Sequence, residues 1–348
     1  MLSLRQHARH RENLPSRGRN SMTRLFAAML LAALLLSCAG LAASPPALAE
    51  GPTLRLAIQK TGTVAWEVDV IRHHGLDAEH GFTLALVELA STEAGKIALK
   101  GGSADMMVSD WLWVSRERAL GSPMQFVPYS ASVGAIMVPA DSPVRSLADL
   151  KGRSLSVAGG ALDKSWLVVL AAARREGVDL KKEATISYGA PPLLFEKLLQ
   201  KEHDASLTYW NFAARLETRG YRRLLAVEDA AKALGAGGGV SMLGYTFDGD
   251  WAAKNADVLA RFLDASRKAK QILATSDAEW DRIRPLTLAP DDASFAAYRK
   301  RYREGIPTRP IAEEEADART LYKVLAELGG PELVGPGKEL DPGTYYKP

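Results

Sequence analysis

The chain has 348 residues, 47% of them hydrophobic and 24% charged, which is enough for two ordinary globular domains and too apolar for intrinsic disorder. Its formal charge of +3 is concentrated at one end: the first 49 residues hold six arginines against Glu12 alone, leaving 38 of the 44 basic and 40 of the 41 acidic residues beyond, a net of −2. A near-neutral body of this kind carries no electrostatic footprint for nucleic acid, and the length and composition exclude a fibrous or disulfide-scaffold protein.

From Leu25 to Leu36 the chain is almost wholly apolar, follows Arg24, and runs into small residues ending Ala47-Leu48-Ala49. This is the pattern of a secretory signal peptide with an A-x-A-type cleavage site, so residues 1–49 are expected to be a leader and the mature chain periplasmic. Ser37, Cys38, Gly40 and Pro45-Pro46 interrupt the apolar run and argue against an anchoring span. Leu35-Leu36-Ser37-Cys38 looks like a bacterial lipobox, so a form anchored through a lipid on Cys38 stays open beside the soluble one, and Met22 stays open as the start. Cys38 is the only cysteine, so the body has no disulfide, thiolate zinc site or cysteine nucleophile.

The body then alternates short apolar runs with helical periodicity. Leu54–Ile58 reads as a buried strand, followed by Val64, Val68 and Ile71 at helical spacing. The unit repeats as strand 83–89 with helix 93–99, strand 105–109 with helix 111–120, and strand 125–129. A second series follows strand 135–138: a short helix after Ser146, strand 155–158, a helix from about Asp163 to Glu176, strand 185–188, helix 193–201 and strand 205–209 with a helix after it. The glycine run Gly235–Gly239 reads as a flexible link, 241–247 as a returning strand, and the remainder as amphipathic helices, including 258–273 and 313–328. The predicted fold class is α/β: two domains, each a mainly parallel sheet flanked by helices, with a helical C-terminal tail. The first domain is expected at 50–139 plus 242–348 and the second at 140–241, with hinge connections near Pro139 and Gly239.

The segment Ser146-Leu-Ala-Asp-Leu-Lys-Gly-Arg-Ser-Leu-Ser-Val157, the strand-turn Ala104–Ser109 and the stretch Lys254–Asp257 before a long helix resemble type II periplasmic solute-binding proteins of ABC importers. Their order and spacing are most similar to the nitrate, sulfonate, taurine and thiamine-precursor group. The resemblance implies a non-enzymatic, monomeric protein that captures a small organic solute, a sulfonate or taurine-like compound or an aromatic or amine-like nitrogenous one, between hinged domains and delivers it to the membrane subunits of an importer. The chain departs from the group at His203-Asp204-Ala205 and Tyr209-Trp210-Asn211. An enzyme on the same fold, such as a thiamine-pyrimidine synthase or a menaquinone-pathway lyase, and a ligand-sensing subunit are the alternatives. The synthases carry a cysteine-rich motif that is absent here.

In open α/β sheets ligands bind beyond the carboxyl ends of the strands, where helix N-termini present unpaired N–H groups. This rule selects Thr61, Thr63, Trp66, Ser109, Asp110, Trp111 and Tyr129 from the first domain. It selects Gly160, Asp163, Ser165, Trp166, Tyr188, Tyr209, Trp210 and Asn211 from the second. Trp111 and Trp166 are expected to sandwich a ligand, while Asp110 and Asp163 read both as helix caps and as acceptors for an amine. No cofactor is expected. Val240 stands where a dinucleotide fingerprint requires its third glycine, and no H-E-x-x-H, G-x-S-x-G or phosphate-loop motif occurs. No metal is expected either, because His73 and His74 point about 100° apart on a helix.

Overall fold

The computed structural model describes residues 51–59 and 62–347. The leader, Cys38 and Thr61 lie outside the described residues. The chain order is β1 (Thr53–Gln59), α1 (Val64–His73), α2 (Leu76–Glu79), β2 (Thr83–Leu89), α3 (Thr92–Lys100), β3 (Met106–Asp110), α4 (Trp111–Ala119) and β4 (Met124–Ser130). Then come β5 (Gly134–Pro139), β6 (Ser154–Ala158), α5 (Lys164–Arg175), α6 (Leu180–Glu183), β7 (Thr185–Gly189), α7 (Pro191–Leu199), β8 (Ala205–Tyr209), α8 (Trp210–Glu217), β9 (Tyr221–Ala226) and α9 (Val227–Ala233). The last elements are β10 (Leu243–Asp248), α10 (Gly249–Lys254), α11 (Ala256–Thr275), α12 (Asp277–Thr287), α13 (Asp292–Glu304) and α14 (Ile311–Val334).

Two five-stranded sheets result, ordered β2-β1-β3-β10-β4 and β7-β6-β8-β5-β9. In the first, β1 pairs in parallel with β2 and β3, and only β10 runs antiparallel to its neighbours. In the second, β6 pairs in parallel with β7 and β8, and β5 is the reversed strand. Each reversed strand is the one that arrives directly from the other sheet, so it enters from the edge where its neighbours leave.

Two sequence expectations change. The strand at 135–138 belongs to the second sheet, so the chain changes sheet between Ser130 and Gly134, ahead of Pro139. Gly134 permits this: a Cβ there would lie 2.1 Å from the Thr208 carbonyl oxygen, so only glycine lets β5 approach β8. The strand β9 has no counterpart in the sequence reading, because Arg222 and Arg223 break its apolar pattern. It is an edge strand, half-buried along its whole length.

The apolar faces of α1, α11 and α12 cover one side of the first sheet around Leu56, Ile71, Phe262 and Trp280, all fully buried. Inside that core the Glu67 carboxylate pairs with Lys270 and accepts hydrogen bonds from Tyr245 Oη at 2.6 Å and Ser266 Oγ, which satisfies a charge otherwise costly to bury. The C-terminal region does not stay with one sheet. α13 packs on α8, and α14 packs on both α4 and α5. The glycine run is anchored to this region, since Gly237 N donates to Asp317 Oδ1 at 2.9 Å and Arg309 donates to the Gly239 carbonyl. No helix among the described residues is long and apolar enough to cross a membrane.

Candidate ligand-binding cleft

The parallel strands β1, β2 and β3 end at Gln59, Leu89 and Asp110, and each is followed by a helix, α1, α3 and α4. From the other sheet, β6 leads to α5 and β8 to α8. The first turns of these five helices surround one cleft of about 390 Å³. Its floor is apolar, with Met107, Val133, Phe212, Met242 and Leu243, and its polar lining comes from both sheets.

Three of the five helix starts are capped from within. Ser91 Oγ accepts from Ala94 N at 3.2 Å, Asp110 Oδ1 from Trp113 N at 2.9 Å, and Asp163 Oδ1 from Ser165 N at 2.9 Å and Trp166 N at 3.3 Å. Thr63 and Tyr209 make no side-chain cap. At α1 the Ala65 and Trp66 N–H groups donate to the Gly62 and Thr63 carbonyls, and at α8 Trp210 N donates to the Val133 carbonyl, so the uncapped donors at the start of α8 are Asn211 N and Phe212 N. Ser109 is 2% exposed, and its Oγ has no hydrogen-bond partner although it borders the cleft.

Asp110, Asp163 and Lys164 are the charged residues of the described lining, which sum to −1. Lys164, from the second-sheet side, places Nζ 3.5 Å from Asp110 Oδ2 on the first-sheet side. Burial works against the Lys164 ammonium, but the Asp110 and Asp163 carboxylates outweigh it and hold the amine above its ordinary range. Burial, then the charge of Asp163, raises the Tyr209 hydroxyl, which stays a neutral phenol.

Of the residues selected from the sequence, Thr63, Ser109, Asp110, Asp163, Ser165, Tyr209, Trp210 and Asn211 line this cleft. Six others do not. Trp111 and Trp166 are fully buried, so they cannot sandwich a ligand. The capping aspartate of each helix lines the cleft, while the indole one residue later in α4 and three residues later in α5 is buried in the core. Trp66 is held in an aromatic cluster, 5.7 Å from Trp280 and 6.0 Å from Trp210, and its Nε1 donates to the Leu286 carbonyl. Tyr129 is 3% exposed and faces the core, where its ring lies 3.7 Å from Lys270 Nζ. Gly160 sits in the loop before α5, and Tyr188 is exposed on the edge strand β7. Gln59, Ser91, Thr92, Ser132 and Lys164 also line the cleft without having been selected. The strand-end rule applied to the β2–α3 turn finds Ser91 and Thr92. Ser132 and Met242 lie on the crossings between sheets and carry no local signal.

Residues 70–279 match the family model described as NMT1/THI5 like. No curated protein matches the chain. Among solved structures, the chain is similar to the periplasmic aliphatic sulphonate binding protein SsuA from Escherichia coli, at a TM-score of 0.68 and 21% identity, covering 86% of this chain and 93% of that one. It is also similar to the alkanesulfonate-binding protein SsuA from Xanthomonas axonopodis pv. citri bound to MOPS, at 0.62 and 18%, covering 86% and 99%. A third similar structure is a Candida albicans gene product described as having the generic periplasmic binding protein structural fold, at 0.53 and 11%, covering 80% and 90%. These likenesses establish the fold.

Proposed function

Because the chain belongs to the NMT1/THI5-like family and has the periplasmic-binding-protein fold, we propose that it is the extracytoplasmic solute-binding component of an ABC importer. The observation that carries this reading is the cleft itself, where strand ends from both sheets meet and Lys164 of one side faces Asp110 of the other. A solute seated there contacts both halves at once, so it favours the arrangement in which the halves are together. The moving halves are the two sheets with their helices, joined by the crossings at 131–133 and 234–242. The membrane subunits of the importer read the closed shape. The apolar leader sends the chain out of the cytoplasm, in soluble form or lipid-anchored at Cys38. A Lys164 ammonium held charged by its neighbours is a poor nucleophile, which suits binding rather than catalysis.

The solute is a small organic molecule bearing an amine, an anionic head, or both. Asp110 and Asp163 suit an ammonium group. The uncapped Asn211 and Phe212 N–H groups at the start of α8 suit a sulfonate or carboxylate without an arginine, and the E. coli and Xanthomonas relatives are named for sulfonates. Native mass spectrometry of the protein purified from the periplasm identifies what co-purifies, and calorimetry then compares an aminoalkanesulfonate, an alkanesulfonate without the amine and a simple alkylamine. Asp110→Asn retains a capping side chain but removes the charge, so it is expected to weaken an amine-bearing solute by about 1.5–3 kcal/mol and to leave an amine-free sulfonate unweakened. A folded protein that carries no solute and binds none of the three classes refutes the reading.

A further inference from the structure

At the end of α1 farthest from the cleft, three metal-ligating side chains meet. His73 is the last residue of the helix and His74 its C-cap, both exposed, while Glu279 in the first turn of α12 is buried. One ligand atom from each lies within 4.8 Å of the other two. Adjacent histidines inside a helix diverge, but here the helix stops between them and the third ligand comes from a helix distant in the sequence. The His73 and His74 rings are edge-on at 5.0 Å. His74 Nε2 is 3.2 Å from Glu279 Oε2. Two ligands each about 2.0–2.1 Å from a tetrahedral zinc ion are separated by about 3.3 Å, so an ion fits between these atoms with little movement of either. His73, on the surface, reaches it by side-chain rotation.

The electrostatics agree. Glu279 Oε1 accepts from Arg282 Nε at 2.9 Å and Nη2 at 2.6 Å, which fixes the carboxylate with Oε2 toward the histidines. Arg282 also pairs with Asp69 at 2.5 Å. With neutral imidazoles, Asp69, Glu279 and Arg282 therefore sum to −1, at the negative end of the α1 dipole. Two imidazoles and one carboxylate are a borderline-soft donor set that suits zinc rather than magnesium or calcium.

We propose that His73, His74 and Glu279 form a zinc site with its fourth position open to water, which ties α1 to α12. The test uses the full chain without a histidine tag, treated with chelator, dialysed and titrated with zinc chloride by calorimetry, with thermal melting in parallel. One zinc ion per chain and a raised melting temperature are expected. His73→Ala and His74→Ala, with unchanged circular dichroism, should each weaken the affinity at least about tenfold, Glu279→Gln should do the same, and magnesium should produce no heat. The absence of saturable zinc binding overturns the site. So does zinc binding that is unchanged in both histidine variants, which places the ion elsewhere, or full affinity in Glu279→Gln.

Discussion

Asp110 and Asp163 each do two things with one carboxylate: an oxygen caps the following helix, and the group borders the cleft. Capping and ligand contact are therefore not competing readings of these residues. The tryptophans divide differently. Trp166, in the first turn of α5, is fully buried, and its indole fills space among apolar side chains. Trp166→Ala should lower folding stability by about 3–5 kcal/mol, the range for a large aromatic removed from a packed core, read as a lower urea midpoint. Any loss of solute affinity should follow that loss of stability rather than a ligand contact. A variant with unchanged stability and lost affinity would put the indole in the site after all.

At the scale of elements, the second sheet is tied to the helical tail by more than the two strand crossings. Glu217 at the end of α8 accepts from Arg301 of α13, with Nη2 to Oε1 at 2.5 Å, and from Arg223 of β9 at 2.6 Å. Burial raises its carboxyl, but the two guanidinium groups outweigh burial and hold it below the ordinary 4.5. A folded value below the unfolded one means that the unfolded chain takes up the proton first as pH falls. The contribution is complete above about 4.5 and is lost as pH drops through the folded value. Glu217→Gln should cost about 1–3 kcal/mol at pH 7. The gap from the unmodified chain should narrow in urea titrations repeated below pH 4; an equal gap at both pH values would show that shape, not charge, makes the contact.

For the whole molecule, a cleft lined from both sheets predicts that a solute compacts the chain without changing either sheet. Small-angle scattering should show a smaller radius of gyration on saturation with the co-purifying solute, with an unchanged circular dichroism spectrum. The ties of α13 to α8 and of α14 to α4 and α5 limit the amplitude, since these packed helices must slide or bend with the motion. An unchanged radius alongside proven binding would mean that the halves are already together without solute.

The alternation of apolar strands and amphipathic helices, legible residue by residue, determined the α/β class, because strands covered by helices must be apolar and the helices must carry one apolar stripe. The caps at Asp110 and Asp163 were legible because each acts on N–H groups two or three residues away; the equivalent cap at Ser91 was not read from the sequence. Three features came only from the tertiary structure, because each depends on partners distant in the chain. The sheet that receives β5 is decided by the approach of Gly134 to Thr208. Which side of a helix start faces the cleft is decided by how α4 and α5 lie on their sheets, and this sends Asp110 and Asp163 to the cleft and Trp111 and Trp166 to the core. The meeting of His73 and His74 with Glu279 depends on α12 packing against α1, a contact that no local pattern encodes.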